Sequence, residues 1–238
     1  AVANAFWSNS YFIPTDADGN YLLQSGSASV LNTINGATGG GQFSSLINPL
    51  IDMENTTSGE QKLHVLGNVY LAVSPMKNLS LKTTLSPNLY QGREHLYQGV
   101  QTDARNSTET DYAKVVSTNM FDWTWDNQID YSITAGDHSI NAMGLFSMNK
   151  YTRERFTQEG EDFSAKTTFY NMELAQTVLG SKSEYTENSL ISYAARLNYS
   201  FRGKYMFTGT VRADGSSRFA PDYRWGVFPS AALAWRAS

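Results

Sequence analysis

The sequence predicts an all-β fold, an antiparallel up-and-down meander of about seven long strands, on three observations. Apolar residues recur at every second position over long stretches, the period of a strand with one apolar and one polar face. Three tight turns alternate with three longer polar connections, and short turns opposite long loops are the arrangement of an outer-membrane barrel. No apolar run approaches the ~20 residues of a spanning helix, which leaves any membrane crossing to strands.

Residues 1–61 read as a loop-rich barrel segment with an extracellular-type loop. Asp16, Ala17, Asp18, Gly19 and Asn20 make a turn, residues 21–23 a short apolar stretch, and Gly39, Gly40 and Gly41 a flexible loop. Strand periodicity starts at Lys62 and continues through 62–238. Leu63, Val65, Gly67, Val69, Leu71 and Val73 share one face, a turn at 75–78 reverses the chain, and Leu79, Leu81, Thr83, Leu85, Pro87 and Leu89 return. After a polar segment at 91–114, Phe121, Trp123, Trp125, Ile129, Tyr131 and Ile133 oppose Thr118, Asp122, Thr124, Asp126, Gln128 and Asp130. Asn127 alone breaks that apolar row. A turn at 135–137 leads back through Ile140, Ala142, Gly144, Phe146 and Met148, and 157–187 is polar again. Ile191, Tyr193, Ala195, Leu197, Tyr199 and Phe201 form the next apolar row. Beyond a turn at 202–204, Tyr205, Phe207, Gly209, Val211 and Ala213 oppose Met206, Thr208, Thr210, Arg212 and Asp214. The last strand carries Trp225, Val227, Pro229, Ala231, Leu233 and Trp235.

Strand length and composition favour a membrane barrel over a sandwich. Residues 117–133 would extend roughly 55 Å at ~3.3 Å per residue, several times the common strand length. Phe121 and Tyr131 are ten positions apart, which a tilt of ~40° converts to about 25 Å of height, the apolar band between two aromatic girdles. Charged residues make up 17% and aromatics 13% of the 238 residues, poor in surface charge and rich in interfacial rings. A net charge of -4 without a basic patch counts against nucleic acid as a partner. The absence of cysteine excludes a disulfide framework and cysteine metal sites.

Two pairs of strings carry a family resemblance. RLNYSFRGKYMFTGTVRADGSSRF at 196–219 and RWGVFPSAALAWR at 224–236 resemble the barrel region of SusC/RagA-type TonB-linked outer-membrane transporters, as do NPLIDMENTTSG at 48–59 and LGNVYLAVSPMKNLSLKTTL at 66–85. The resemblance implies a segment of a large transmembrane β-barrel of about 22 strands, closed by an N-terminal plug, in the outer membrane of a Gram-negative, Bacteroidetes-type cell. It also implies energised import of oligosaccharides or oligopeptides, driven by TonB with ExbB and ExbD, with a SusD-like surface lipoprotein capping the barrel. Plug, TonB box and closing strand are not found in these residues, so the chain reads as a piece of a longer protein. No cofactor is implied, because the driving force comes from the inner membrane. Two other readings stay open: a passive outer-membrane binding or adhesin barrel, and a soluble carbohydrate-binding β-sandwich whose apolar face packs on a second sheet.

The remaining motifs weigh against catalysis. Asp16 to Asn20 starts like a calcium loop, but the glycine follows the second aspartate directly and no glutamate closes the site. Gly39 to Gly41 lacks the Lys-Ser or Lys-Thr of a phosphate loop. His64, His95 and His138 are scattered, and no metal site is expected. Asp122, Asp126 and Asp130 share one face of a strand, where a hydrated lumen wall explains them better than a glycosidase pair. Arg196, Arg212 and Arg236 lie opposite the apolar rows and are likewise assigned to the lumen. In the string Asp214 to Phe219 the expected roles are architectural, with Asp214 and Ser216 bonding nearby backbone and Gly215 at positive φ. The loop aromatics Tyr90, Tyr97, Phe163, Phe169, Tyr170 and Tyr223 are candidates for stacking on sugar or peptide ligands, Tyr97, Phe169, Tyr170 and Tyr223 foremost, or equally for packing the loops against a partner protein.

Overall fold

The computed structural model describes Asp18 and residues 49–105, 109–163 and 171–237. Expectations for residues 21–23, Gly39 to Gly41, Phe169 and Tyr170 therefore lie outside the described residues. A short helix α1 (Pro49–Asn55) leads into β1 (Thr56–Leu66), β2 (Val69–Met76), β3 (Leu79–Gln98), β4 (Tyr112–Ala135), β5 (His138–Phe163), β6 (Ala175–Phe201), β7 (Tyr205–Ser216) and β8 (Trp225–Trp235). The sheet order is β1-β3-β4-β5-β6-β7-β8, with β2 also paired to β3. Strands β1 and β2 are thus successive stretches along one neighbour, and the sheet has seven positions. Between them, at Gly67, the backbone N–H still donates to the carbonyl of Pro87 at 3.0 Å. This is the antiparallel meander the alternation predicts.

Turn chemistry sets the short connections. Gly136 and Gly203 have φ of 59° and 64°, which glycine adopts without a Cβ clash. Arg202 has φ of 54°, rare for a residue with a Cβ, and local bonds hold it there. Its N–H donates to the Asp137 carbonyl at 2.7 Å, its Nε donates to Asp137 Oδ2 at 2.6 Å, and its guanidinium lies over the Phe201 ring. Two adjacent turns are thereby tied together.

The structure corrects the extent of several elements. Residues 91–98 belong to β3, Tyr112 opens β4, and the segment at 157–187 is largely strand, in β5 to Phe163 and β6 from Ala175. Pairing needs only backbone donors and acceptors, so where neither face is apolar a strand continues without any alternation to announce it. Helix α1 was not foreseen. Pro49 suits a first helical turn, Pro49, Ile51 and Asp52 are buried, and Asn55 Nδ2 donates back to the Ile51 carbonyl. Strand β1 begins at Thr56, six residues before the alternation does.

The chain resolves into two compact units, one from the described parts of Ala1–Lys62, Gly92–Ser117 and Arg155–Ser183, the other from Leu63–Gln91, Thr118–Glu154 and Glu184–Ser238. Among the described residues, the buried apolar side chains Ile51, Tyr97, Ala113, Val115, Val116 and Phe163 all fall in the first unit. In the second unit the apolar rows are open to the outside. Leu71, Phe121, Trp125, Ile129, Tyr193, Val211 and Val227 are all exposed, whereas Asp122, Asp126 and Asp130 on the other face of β4 are half-buried. That is the reverse of a water-soluble sheet, and such an apolar face marks an interface with lipid or protein.

Candidate functional site

Register fixes which residues share a face of the second unit. Ala195 pairs with Val211, Tyr199 with Phe207 and Phe207 with Leu233, so the apolar rows of β6, β7 and β8 line up. On the opposite face Arg196 pairs with Thr210, and Arg212 with Ala194 and Phe228. Hydrogen bonds knit this polar face. Asn149 Nδ2 donates to Asp122 Oδ1 at 2.7 Å, Gln128 Nε2 to Asp130 Oδ2 at 2.7 Å, and Thr208 Oγ1 to Asn198 Oδ1 at 2.9 Å. Arg212 Nε reaches both oxygens of Asp214 at 2.8 Å, and its Nη2 donates to the buried Ser192 Oγ. The arginine thus pairs with an acid on its own strand. Asp122, Asp126 and Asp130 follow each other at four-residue steps, ~13 Å of strand, too far apart for a glycosidase pair at ~5 to 9 Å. The backbone N–H of Arg236 donates to the Lys204 carbonyl, which places that residue at the turn end of β8.

Gly215 does not have positive φ as its loop position suggested. A Cβ there would lie 2.8 Å from the Trp225 ring, so the glycine is needed for close approach of an indole. Asp214 bonds the Arg212 side chain instead of nearby backbone, and Ser216 Oγ accepts from the Arg218 N–H at 3.3 Å.

Aromatic rings on the apolar face run in two belts across the strands. One joins Trp125, Phe146, Tyr193 and Trp225 at centroid distances of 6.0, 5.3 and 6.1 Å. The other joins Tyr199, His138, Phe201 and Tyr205 at 5.9, 5.0 and 6.5 Å. Strand β8 carries a tryptophan at each end, Trp225 and Trp235. Their ten-residue separation corresponds to about 25 Å of height at a tilt of ~40°, the apolar band of an outer-membrane barrel. Between the belts, Asn127 and Thr83 interrupt the apolar rows together: Thr83 Oγ1 donates to Asn127 Oδ1, and Trp125 Nε1 donates to Thr83 Oγ1, both at 2.9 Å. Asn127 Nδ2 is buried without a partner. An open concavity of about 780 Å³ beside this pair is walled by Leu71, Ile129, Phe146 and Val211. It lies on the apolar face and suits hydrocarbon, not a polar solute.

The first unit holds a polar cluster of its own. Asp111 accepts from the Tyr97 hydroxyl at 2.7 Å with one oxygen and from the Phe163 N–H at 2.9 Å with the other. The Tyr97 ring packs on Ala113 and Phe163 and is buried, so the candidate for ligand stacking is turned into packing here. Burial first, then the bond to Asp111 and its negative charge, push the Tyr97 phenol above its usual value. Arg105 pairs with Glu161 and donates to Thr110, closing the connection between β3 and β4 onto β5. Lys114 and Glu159 pair at 2.7 Å; their hydrogen bond holds the carboxyl low and the ammonium high. A second concavity, about 650 Å³, opens between Gly59, Glu60, Glu94, His95, Lys114 and Arg155. Neither His95 nor the charges near it were singled out by spacing, because four strands, β1, β3, β4 and β5, bring them together. In the second unit Tyr223 is strongly exposed in a short 3-10 turn (Pro221–Tyr223). No group of metal-ligating residues occurs among the described residues.

No protein-family model matches the chain. Over 197 residues, 80% of its length, it is 28% identical to a protein of Formosa agariphila named TonB-dependent receptor P26, and over 132 residues 36% identical to TonB-dependent receptor SusC of Bacteroides thetaiotaomicron. The chain spans 20% and 12% of those two proteins. Among solved structures, the RagAB peptide transporter matches 92% of this chain and 23% of its own at a TM-score of 0.74 and 18% identity. That likeness shows the fold, an antiparallel meander shared with a much longer chain. By sequence the chain is similar to stretches of TonB-dependent receptors that include SusC, and by fold to part of the RagAB peptide transporter.

Proposed function

We propose that this chain supplies wall strands of a TonB-dependent transporter in the outer membrane of a Gram-negative, Bacteroidetes-type cell, a barrel of about 22 strands with a plug in its lumen. The observation that carries the reading is the exposed apolar face bounded by two aromatic belts, with a hydrogen-bonded polar face behind it. On this reading Asp122, Asp126, Asp130, Arg196, Arg212 and Arg236 belong to the lumen wall. Oligosaccharides or oligopeptides are the substrates, a SusD-like lipoprotein is the surface partner, and TonB with ExbB and ExbD supplies the energy. Tyr223, with Phe169 and Tyr170, is the candidate for ring stacking on ligand. The homologues named as TonB-dependent receptors support transport over catalysis. Uptake of the native nutrient by cells carrying the full-length protein should vanish when TonB is deleted. Undiminished uptake would favour a passive barrel.

A further inference from the structure

We infer that the turn edge of the second unit is a binding surface for an anionic phospholipid headgroup. The inference rests on the barrel reading, in which tight turns meet the inner, periplasmic side of the membrane. The three tight turns carry three cations, Lys77, Arg202 and Lys204, against one carboxylate, Asp137. The chain as a whole has a net charge of -4, so this excess of two positive charges is a local departure from its balance. Asp137 engages Arg202 through Nε alone, and the Arg202 side chain is still 66% exposed. Its position is not left to chance. The left-handed backbone, the bond from its N–H to the Asp137 carbonyl and the stacking on Phe201 fix the guanidinium beside the aromatic belt. Lys204 is held next to it, with its N–H on the Phe201 carbonyl and its own carbonyl accepting from the Arg236 N–H.

Apolar surface continues from these cations toward the band. Tyr205 and Trp235 are paired across β7 and β8 and are 52% and 64% exposed. A phospholipid suits both halves of this surface. Its phosphate oxygens accept from the guanidinium and ammonium donors, and its glycerol and upper acyl chain lie on the rings, which prefer the headgroup boundary. A free inorganic phosphate would engage only the first half, and an acidic periplasmic protein has no acyl chain for the second.

The test reconstitutes the full-length protein into nanodiscs of equal phosphatidylglycerol and phosphatidylethanolamine, then identifies the lipids retained on delipidation by mass spectrometry. Phosphatidylglycerol should be retained over phosphatidylethanolamine by about 25-fold, two cations at about fivefold each, and Lys204→Gln should lower that ratio about fivefold, the worth of one cation near an anionic surface. Arg202→Gln with Lys204→Gln should abolish it, while Arg196→Gln on the opposite face should leave it intact. Equal retention of both lipids, a preference that survives the double substitution, or a preference reproduced by soluble phosphate as competitor would overturn the inference. A protein that does not enter nanodiscs at all would instead overturn the barrel reading.

Discussion

Val211 and Thr210 stand one position apart on β7 and face opposite ways, Val211 in the exposed apolar row and Thr210 across from Arg196. If the apolar row meets lipid, Val211→Lys should cost ~2 to 4 kcal/mol near the bilayer midplane, where a charge is poorly hydrated, and Thr210→Lys far less. Heat-modifiable gel mobility and outer-membrane yield of the two full-length variants would report it; equal damage would mean that the polar face is packed. Tyr97 gives a pH signature. Its phenol is raised above the ordinary 10.0 in the folded state, so its contribution to stability is complete below that pH and is lost as pH climbs through the raised value. Above pH 10 the wild type should therefore become sensitive to protease near residues 99–111 sooner than Tyr97→Phe does. At this scale the sequence was partly readable. Asn127 stood out as the one break in its row, but its partner Thr83 is 44 residues away, and only strand pairing joins them. Gly215 looked like a turn glycine because the Trp225 ring that demands it comes from the next strand.

Strands were legible where their two faces differ in polarity and illegible where they do not. The apolar rows from Leu63 to Trp235 could be followed because an exposed hydrocarbon-compatible face imposes a strict period of two. At the other ends of β3, β5 and β6 that constraint is gone, and polar residues such as Glu94, Glu159 and Glu184 lie within strands. What holds those ends is local and specific. Asp111 is the central piece, satisfying the buried Phe163 N–H and the Tyr97 hydroxyl at once. Asp111→Ala strands both donors, and the expected loss is about 1–3 kcal/mol of local stability. Hydrogen exchange at the Phe163 amide should accelerate accordingly, while exchange in β7 and β8 stays unchanged. An unaltered Phe163 amide would show that another group supports this connection.

At the level of the whole molecule, the sequence strings announced the kind of segment this is, while composition alone left a soluble sandwich open. The open apolar face calls for a cover, lipid in the barrel and a second sheet in the sandwich, and membrane retention separates the two. Membranes from cells expressing the full-length protein should keep it in the pellet through an alkaline carbonate wash, and release into the supernatant would restore the sandwich. Substrate choice was not legible, since it depends on residues that loops and neighbouring strands bring together from distant positions. One small feature also bears on assembly. Asp137 and Arg202 are 65 residues apart, each in the turn of a different hairpin, and two hydrogen bonds join them across the boundary between β5 and β6. A slip of the second hairpin by one residue would turn its apolar row inward, and a slip by two would carry Arg202 roughly 7 Å away from Asp137. The apolar pattern alone tolerates the two-residue slip, because every side chain keeps its face. The latch does not, so it acts as a tooth between hairpins, rejecting the even-numbered misalignments to which alternation is blind.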